Sequence, residues 1–153
     1  MVSAISNLDK SRRLLLHNDL AELERLAGWI DGWAQELVSP DTSFAIQLCL
    51  EEAVANIIMY GPAKDDRLEI AVELERSGST VVARVEDTGR QFDPTRFPPP
   101  FQATSLEEAE VGDLGIHLMR SFASGMDYER RDCRNWLTLR FVGSEATSRQ
   151  NAL

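Results

Sequence analysis

Cysteine is scarce in this 153-residue chain: Cys49 and Cys133 are the only two, and neither belongs to a Cys-x-x-Cys pair. That excludes a disulfide framework and makes a zinc site a poor reading; two free thiols in a reducing cytosol are expected. No uninterrupted apolar run approaches the ~18 residues of a membrane span. The first ten residues lack a basic patch followed by an apolar stretch, so no secretory signal is expected there. No G-x-x-x-x-G-K-[ST] occurs, which excludes P-loop chemistry. Basic residues are outnumbered, 16 against 25 acidic, giving a net charge of −9. Nucleic acid and anionic membranes repel such a chain, so neither is an expected partner. A small phosphate ligand stays compatible where backbone amides and a metal neutralise it.

What is present suits one α+β domain, residues 1–143, with a polar tail at 144–153. Residues 11–17 read as a strand. Asn18 or Asp19 then caps a helix whose stripe is Leu20, Leu23, Leu26, Ile30, Trp33 and Leu37. Gly28 and Gly32 lie inside it, and close packing on a neighbour would explain them. Ser39-Pro40 predicts an N-cap and first helical position. The following helix is apolar almost all round as far as Tyr60, where Gly61-Pro62 stops it; such a helix is expected to be central. Alternation over 68–74 and 81–85 around Ser77-Gly78-Ser79 predicts a hairpin. Residues 90–111 lose all periodicity and hold four of the six prolines, as a functional or disordered loop would. A helix resumes near Leu114. Two strands close the chain, at about 126–131 and 136–142, turning at 132–135. Few helices and hairpin-linked strands imply helices layered on one face of a mixed, mainly antiparallel sheet.

Three places could carry chemistry. Glu52 and Asn56 are four apart on the apolar helix, and so project only about 40° apart. A polar pair there is costly unless something pairs with it, whether a ligand or a neighbour within the fold. Asp87-Thr88-Gly89 ends a strand; Asp87 could accept from a ligand amine while Gly89 admits a flat ring, or the trio is an ordinary turn. Gly112-Asp113-Leu114-Gly115 opens a helix after the long loop, as a phosphate cradle or as plain punctuation. His17 and His117 read first as structural or surface residues, though His117 begins a helix and could touch a phosphate.

In this order, Glu51-Glu52-Ala53-Val54-Ala55-Asn56, Asp87-Thr88-Gly89 and Gly112-Asp113-Leu114-Gly115-Ile116-His117-Leu118 resemble the three boxes of the Bergerat-fold (GHKL) ATPase and kinase superfamily. The likeness spans roughly residues 10–142 and is nearest to the stand-alone bacterial anti-sigma-factor serine/threonine kinases of partner-switching systems. It implies a two-layer α/β sandwich with an ATP lid at 90–111, and ATP and Mg²⁺ as ligands. Glu52 would be the catalytic base and Asn56 the magnesium ligand. Asp87 would receive the adenine amine beside Gly89, with support from Thr138. Gly112, Leu114, Gly115, Ile116 and His117 would hold phosphates, and Arg90 or Arg96 could contact them. The implied activity is phosphorylation of a small anti-anti-sigma-type antagonist, with a sigma factor as a second partner and a homodimer as the assembly. Two alternatives stay open: an ATP-binding anti-sigma module without phosphotransfer, and a relative of histidine-kinase catalytic domains. Glu52 speaks against the latter, since histidine kinases generally carry Asn there. Asp113 departs from the pattern, standing where a glycine is common, and a carboxylate beside phosphates repels them unless it turns away or helps hold the metal.

Overall fold

The computed structural model describes residues 11–61, 68–96 and 113–143. Gly112, most of the expected lid and the polar tail lie outside the described residues.

Five strands form one sheet in the order β1-β2-β3-β5-β4, and every neighbouring pair is antiparallel. The strands are β1 Ser11–Leu16, β2 Ile70–Ser77, β3 Thr80–Asp87, β4 Gly125–Arg131 and β5 Arg134–Val142. The helices are α1 Glu22–Ala34, α2 Pro40–Tyr60 and α3 Asp113–Phe122. Strand alternation assigns the faces. Leu14 and Leu16, Val72 and Leu74, Val81, Ala83 and Val85, and Leu137, Leu139 and Phe141 are buried on the side of the helices. The other face carries charge: Arg13 bonds Glu73, and Arg134 Nη1 lies 3.4 Å from Glu86 Oε2. The exposed Arg13–Glu73 pair contributes little, Glu86 is itself buried and held by its arginines, and the buried apolar face holds the fold.

The sequence explains the element ends. Ser39 Oγ accepts from the Thr42 amide at 3.2 Å and Pro40 occupies the first helical position, so α2 starts as expected. Asp19 Oδ1 accepts from the Ala21 amide at 2.9 Å, which makes a turn ahead of α1 and delays the helix to Glu22. Leu20 consequently leaves the stripe and is exposed. Gly78, at φ +61°, closes the β2–β3 hairpin. Asp132 and Cys133 both take positive φ, 53° and 60°, and form a two-residue turn without glycine. That turn starts β5 at Arg134, two residues before the expected start, so Asn135 belongs to a strand.

Two packing expectations change. Nothing lies within 4 Å of a Cβ built on Gly28 or Gly32. They face open space, not a neighbouring helix. The central helix α2 buries Ile46, Cys49, Leu50, Ala53, Val54 and Ile58, yet leaves Phe44 and Met59 exposed. Among the described residues it is covered by the sheet and by α1 and α3. By length and composition α2 could cross a membrane, although it carries Asp41, Glu51 and Glu52; here its buried side chains are part of the core shared with the sheet.

Because both glycines lack a neighbour and sit in regular helix, Gly28→Ala and Gly32→Ala should each stabilise the domain by about 0.5–1 kcal/mol. Chemical denaturation checks this: a loss of stability at either position would mean that α1 is packed more closely there than the structure has it.

Candidate functional site

A solvent-open cleft runs between the C-terminal half of α2, the end of β3 and the first residues of β5. Asn56, Tyr60, Asp87, Arg90, Tyr128 and Asn135 supply its polar groups. Local structure explains why they meet. Asp87 continues the inward row Val81, Ala83, Val85 and is the last residue of β3. Asn135 lies directly across from it in the β3–β5 register. Asn56 is on the turn of α2 that faces this strand end.

Asp87 is only 4% exposed. Its Oδ1 accepts from the Gly89 amide at 2.8 Å and from Asn135 Nδ2 at 2.9 Å. Burial pushes its carboxyl above the ordinary aspartate range. The Asn135 and Gly89 hydrogen bonds and the nearby Arg130 charge oppose that shift, and Glu86 adds to it. Both hydrogen bonds fall on Oδ1, and among the described residues no donor reaches Oδ2. Gly89 is needed for the approach: a Cβ there would lie 2.9 Å from Asp87 Oδ1, 2.9 Å from Leu68 Cδ1 and 3.0 Å from the Gly61 carbonyl.

Asn56 Nδ2 is buried with no hydrogen-bond partner among the described residues. The indole N–H groups of Trp33 and Trp136 share that state but do not line the cleft. An unpaired amide costs free energy inside a protein, so one buried on a residue that lines a cleft suits a ligand. A half-turn of the carboxamide exchanges its nitrogen and its oxygen between the two positions. Glu52, one helical turn back, lies against the start of α3: a Cβ on Gly115 would come within 2.5 Å of Glu52 Oε2. The amides of Asp113, Leu114 and Gly115 in the first turn of α3 lack intrahelical partners by construction, and the helix dipole makes that end attractive to anions. On the same turn of α2 as Glu52, burial and the Glu52 charge push the Cys49 thiol up to about 12, so it stays protonated and inert.

The expected site residues separate into groups. Asn56 and Asp87 share the cleft, with Gly89 beneath Asp87; Glu52 and Gly115 adjoin each other beside it. Leu114 and His117 are exposed on α3, while the Ile116 side chain is buried in the core and does not reach a ligand. Arg90 lines the cleft, whereas Arg96 is exposed and paired with Asp93 at 3.3 Å. Thr138 does not join them. It stands opposite Arg84 and Asp127 on the outer sheet face, because Leu137 and Leu139 on either side point inward. Asn135 occupies the place beside Asp87. Tyr128 and Arg130, which reach the same corner from β4, were also not anticipated. Continuing the apolar alternation of β5 back from Leu137 would have found Asn135.

Residues 16–141 match the histidine kinase-like ATPase domain family, and the chain belongs to it. It is 34% identical over 109 residues to the serine/threonine-protein kinase BtrW of Bordetella bronchiseptica, covering 71% of this chain and 73% of that one. The fold is similar to the histidine kinase domain of a blue-light activated histidine kinase from Erythrobacter litoralis, with TM-score 0.54 and 16% identity over 84% of this chain. The longer structure of that kinase gives TM-score 0.53 and 17% identity over 87% of this chain. This chain spans 63% and 43% of those two structures. The class is therefore a GHKL-type, kinase-like ATPase domain, with ATP as the ligand of the family.

Gly89→Ala should destabilise the protein by about 1–3 kcal/mol, since the Gly61 backbone carbonyl cannot yield as a flexible side chain would. Urea unfolding measures it, and a loss below about 0.5 kcal/mol would contradict the close approach of residues 61 and 89.

Proposed function

We propose that this chain is an ATP-dependent serine/threonine protein kinase that phosphorylates a small antagonist protein of anti-anti-sigma type, and that it also holds a sigma factor in a partner-switching circuit. A homodimer working in a reducing cytosol belongs to the same reading. The observation that carries it is the convergence on one cleft of the unpartnered Asn56 amide and the buried Asp87 carboxylate, with Glu52 and the start of α3 alongside. The likeness to a serine/threonine kinase supports the choice of acceptor.

Each residue then has a task. Asp87 accepts a hydrogen bond from the exocyclic amine of adenine, and Gly89 lets the flat base approach. The amides of Gly112 to Gly115 receive phosphate oxygens at the positive end of α3, with Leu114 and His117 at the exposed rim. Asn56 would hold magnesium through its amide oxygen. Magnesium takes only one or two protein oxygens, so a single carboxamide oxygen suffices for that role. When bound, that ion neutralises charge on the transferring phosphate. Glu52 takes the proton of the substrate hydroxyl as its oxygen bonds to the γ-phosphorus and the bond to the departing ADP breaks. Arg90, at the cleft mouth, is placed for a phosphate.

A second reading, partner binding without phosphotransfer, is favoured by Asp113, whose carboxylate sits in the segment that would have to accept phosphate. The two differ in one assay. Incubated with Mg-ATP and the antagonist encoded beside its gene, the protein should label that antagonist on serine or threonine. Glu52→Gln should lower the rate by about 100-fold or more while ADP affinity stays within about threefold. Full phosphotransfer by this variant would remove Glu52 as the base, and no label with the unaltered protein would favour the binding module.

A further inference from the structure

Asn135 is buried, 5% exposed, at the second position of β5. Its Nδ2 donates to Asp87 Oδ1 at 2.9 Å and to the Arg90 carbonyl at 2.7 Å, with a longer contact to the Gly89 carbonyl at 3.5 Å. Its Oδ1 accepts from the Tyr128 hydroxyl and, at 3.4 Å, from the Phe92 amide. A carboxamide has two N–H bonds and two lone pairs, so this one has nothing left for a ligand. Its orientation is also set. Turned over, the amide would face its oxygen to Asp87 and the Arg90 carbonyl, acceptor against acceptor, and its N–H groups to the Phe92 amide. Arg130 Nη1 adds a bond to the Gly89 carbonyl at 2.8 Å, which closes the corner from β4.

We propose that Asn135 is the positioning residue of the base site: it holds Asp87 by Oδ1 and the backbone of residues 89–92 by the same amide, so that Oδ2 faces the ligand's amine and Arg90 is fixed at the cleft mouth. This rests on Asp87 being the base acceptor proposed above. Tyr128 is the strut that keeps Asn135 in its orientation. The consequence is selectivity. An ionised Oδ2 is acceptor-only and welcomes an amine, whereas a protonated Asp87 offers a donor and tolerates a carbonyl. Adenine differs from hypoxanthine at that very group.

The same contacts set a pH dependence. Asp87 already titrates above the ordinary range through burial, and the Asn135 hydrogen bond is the largest influence holding it down. The groups facing it are Arg130 and Tyr128 from β4, Glu86 on its own strand, Arg90 and Asp93 from the segment after it, and Tyr60 and the neutral Asn56 from α2. Removing Asn135 raises the Asp87 pKa further, so ADP affinity is lost at a higher pH as the solution is acidified.

The test measures ADP and IDP affinity of the full chain from pH 5 to 8 in wild type, Asn135→Ala, Tyr128→Phe and Asp87→Ala, with thermal unfolding as the fold check. Asn135→Ala should weaken ADP about tenfold at neutral pH, the worth of a hydrogen bond to a charged group. It should also narrow the ADP-over-IDP preference and move the acid limb upward; Tyr128→Phe should do the same to a smaller extent. Wild-type affinity, preference and pH profile in both variants, with Asp87→Ala still losing the preference, would overturn the positioning role and leave the base site standing. Equal loss of ADP and IDP with an unmoved pH profile would mark Asn135 as merely structural, which also overturns it. If Asn135→Ala fails to fold, an unchanged Tyr128→Phe overturns it. Should Asp87→Ala keep the preference, the base assignment falls and the positioning role with it.

Discussion

A carboxylate removed from water must be held by donors, or it takes up a proton. Asp87 is that group here, and the surrounding structure follows from the need to hold it ionised at the end of an inner strand. The pairing of Asp87 with Asn135 sets where β3 and β5 stop sharing a ladder. The Gly89 amide folds back on the same oxygen, which bends the chain out of the sheet. Asn135 then ties residues 90 and 92 to the strand, and Arg130 ties residue 89. Arg120 continues the anchoring by donating to the carbonyls of Pro94 and Thr95 from α3. A charge buried at one strand end thus organises the whole first part of the segment that follows β3.

The helix layer supplies the other wall. α2 runs over the sheet with Ile46, Leu50 and Val54 in the core, and its last turns carry Asn56 and Tyr60 to the strand end. α3 packs alongside α2 through Ile116 and Met119, and the Cys49 thiol contacts the Met119 carbonyl at 3.9 Å. That packing is close enough at Gly115 that only hydrogen leaves the Glu52 carboxylate in place. Site and core are therefore one construction. The residues that fix the helix spacing also set how far Glu52 stands from the amides at the start of α3.

Much of this was legible in residue order, and the reasons are local. Glu52 and Asn56 stood out because polar side chains on an apolar helix demand partners. Asp87 stood out because it ends an alternating run beside a glycine. The α2 cap at Ser39 came from residue types whose preference is strong and independent of context. What stayed hidden depended on tertiary contact. Gly28 and Gly32 look identical in sequence whether a neighbour presses on them or solvent does. Asn135 looked like turn material because the tight turn just before it uses Asp132 and Cys133 at positive φ, where glycine or asparagine would be the usual signal. Thr138 was assigned by likeness alone, while its flanking leucines had already placed it on the outer face.

The account rests on one cleft receiving one nucleotide in one orientation. The most direct test is a crystal structure of the full chain with magnesium and a non-hydrolysable ATP analogue. The expected result places the adenine amine within hydrogen-bond distance of Asp87 Oδ2 and the metal on the Asn56 carboxamide, with the phosphates toward Glu52 and the start of α3. A nucleotide bound on another surface, or in this cleft with its base turned away from Asp87, would contradict it.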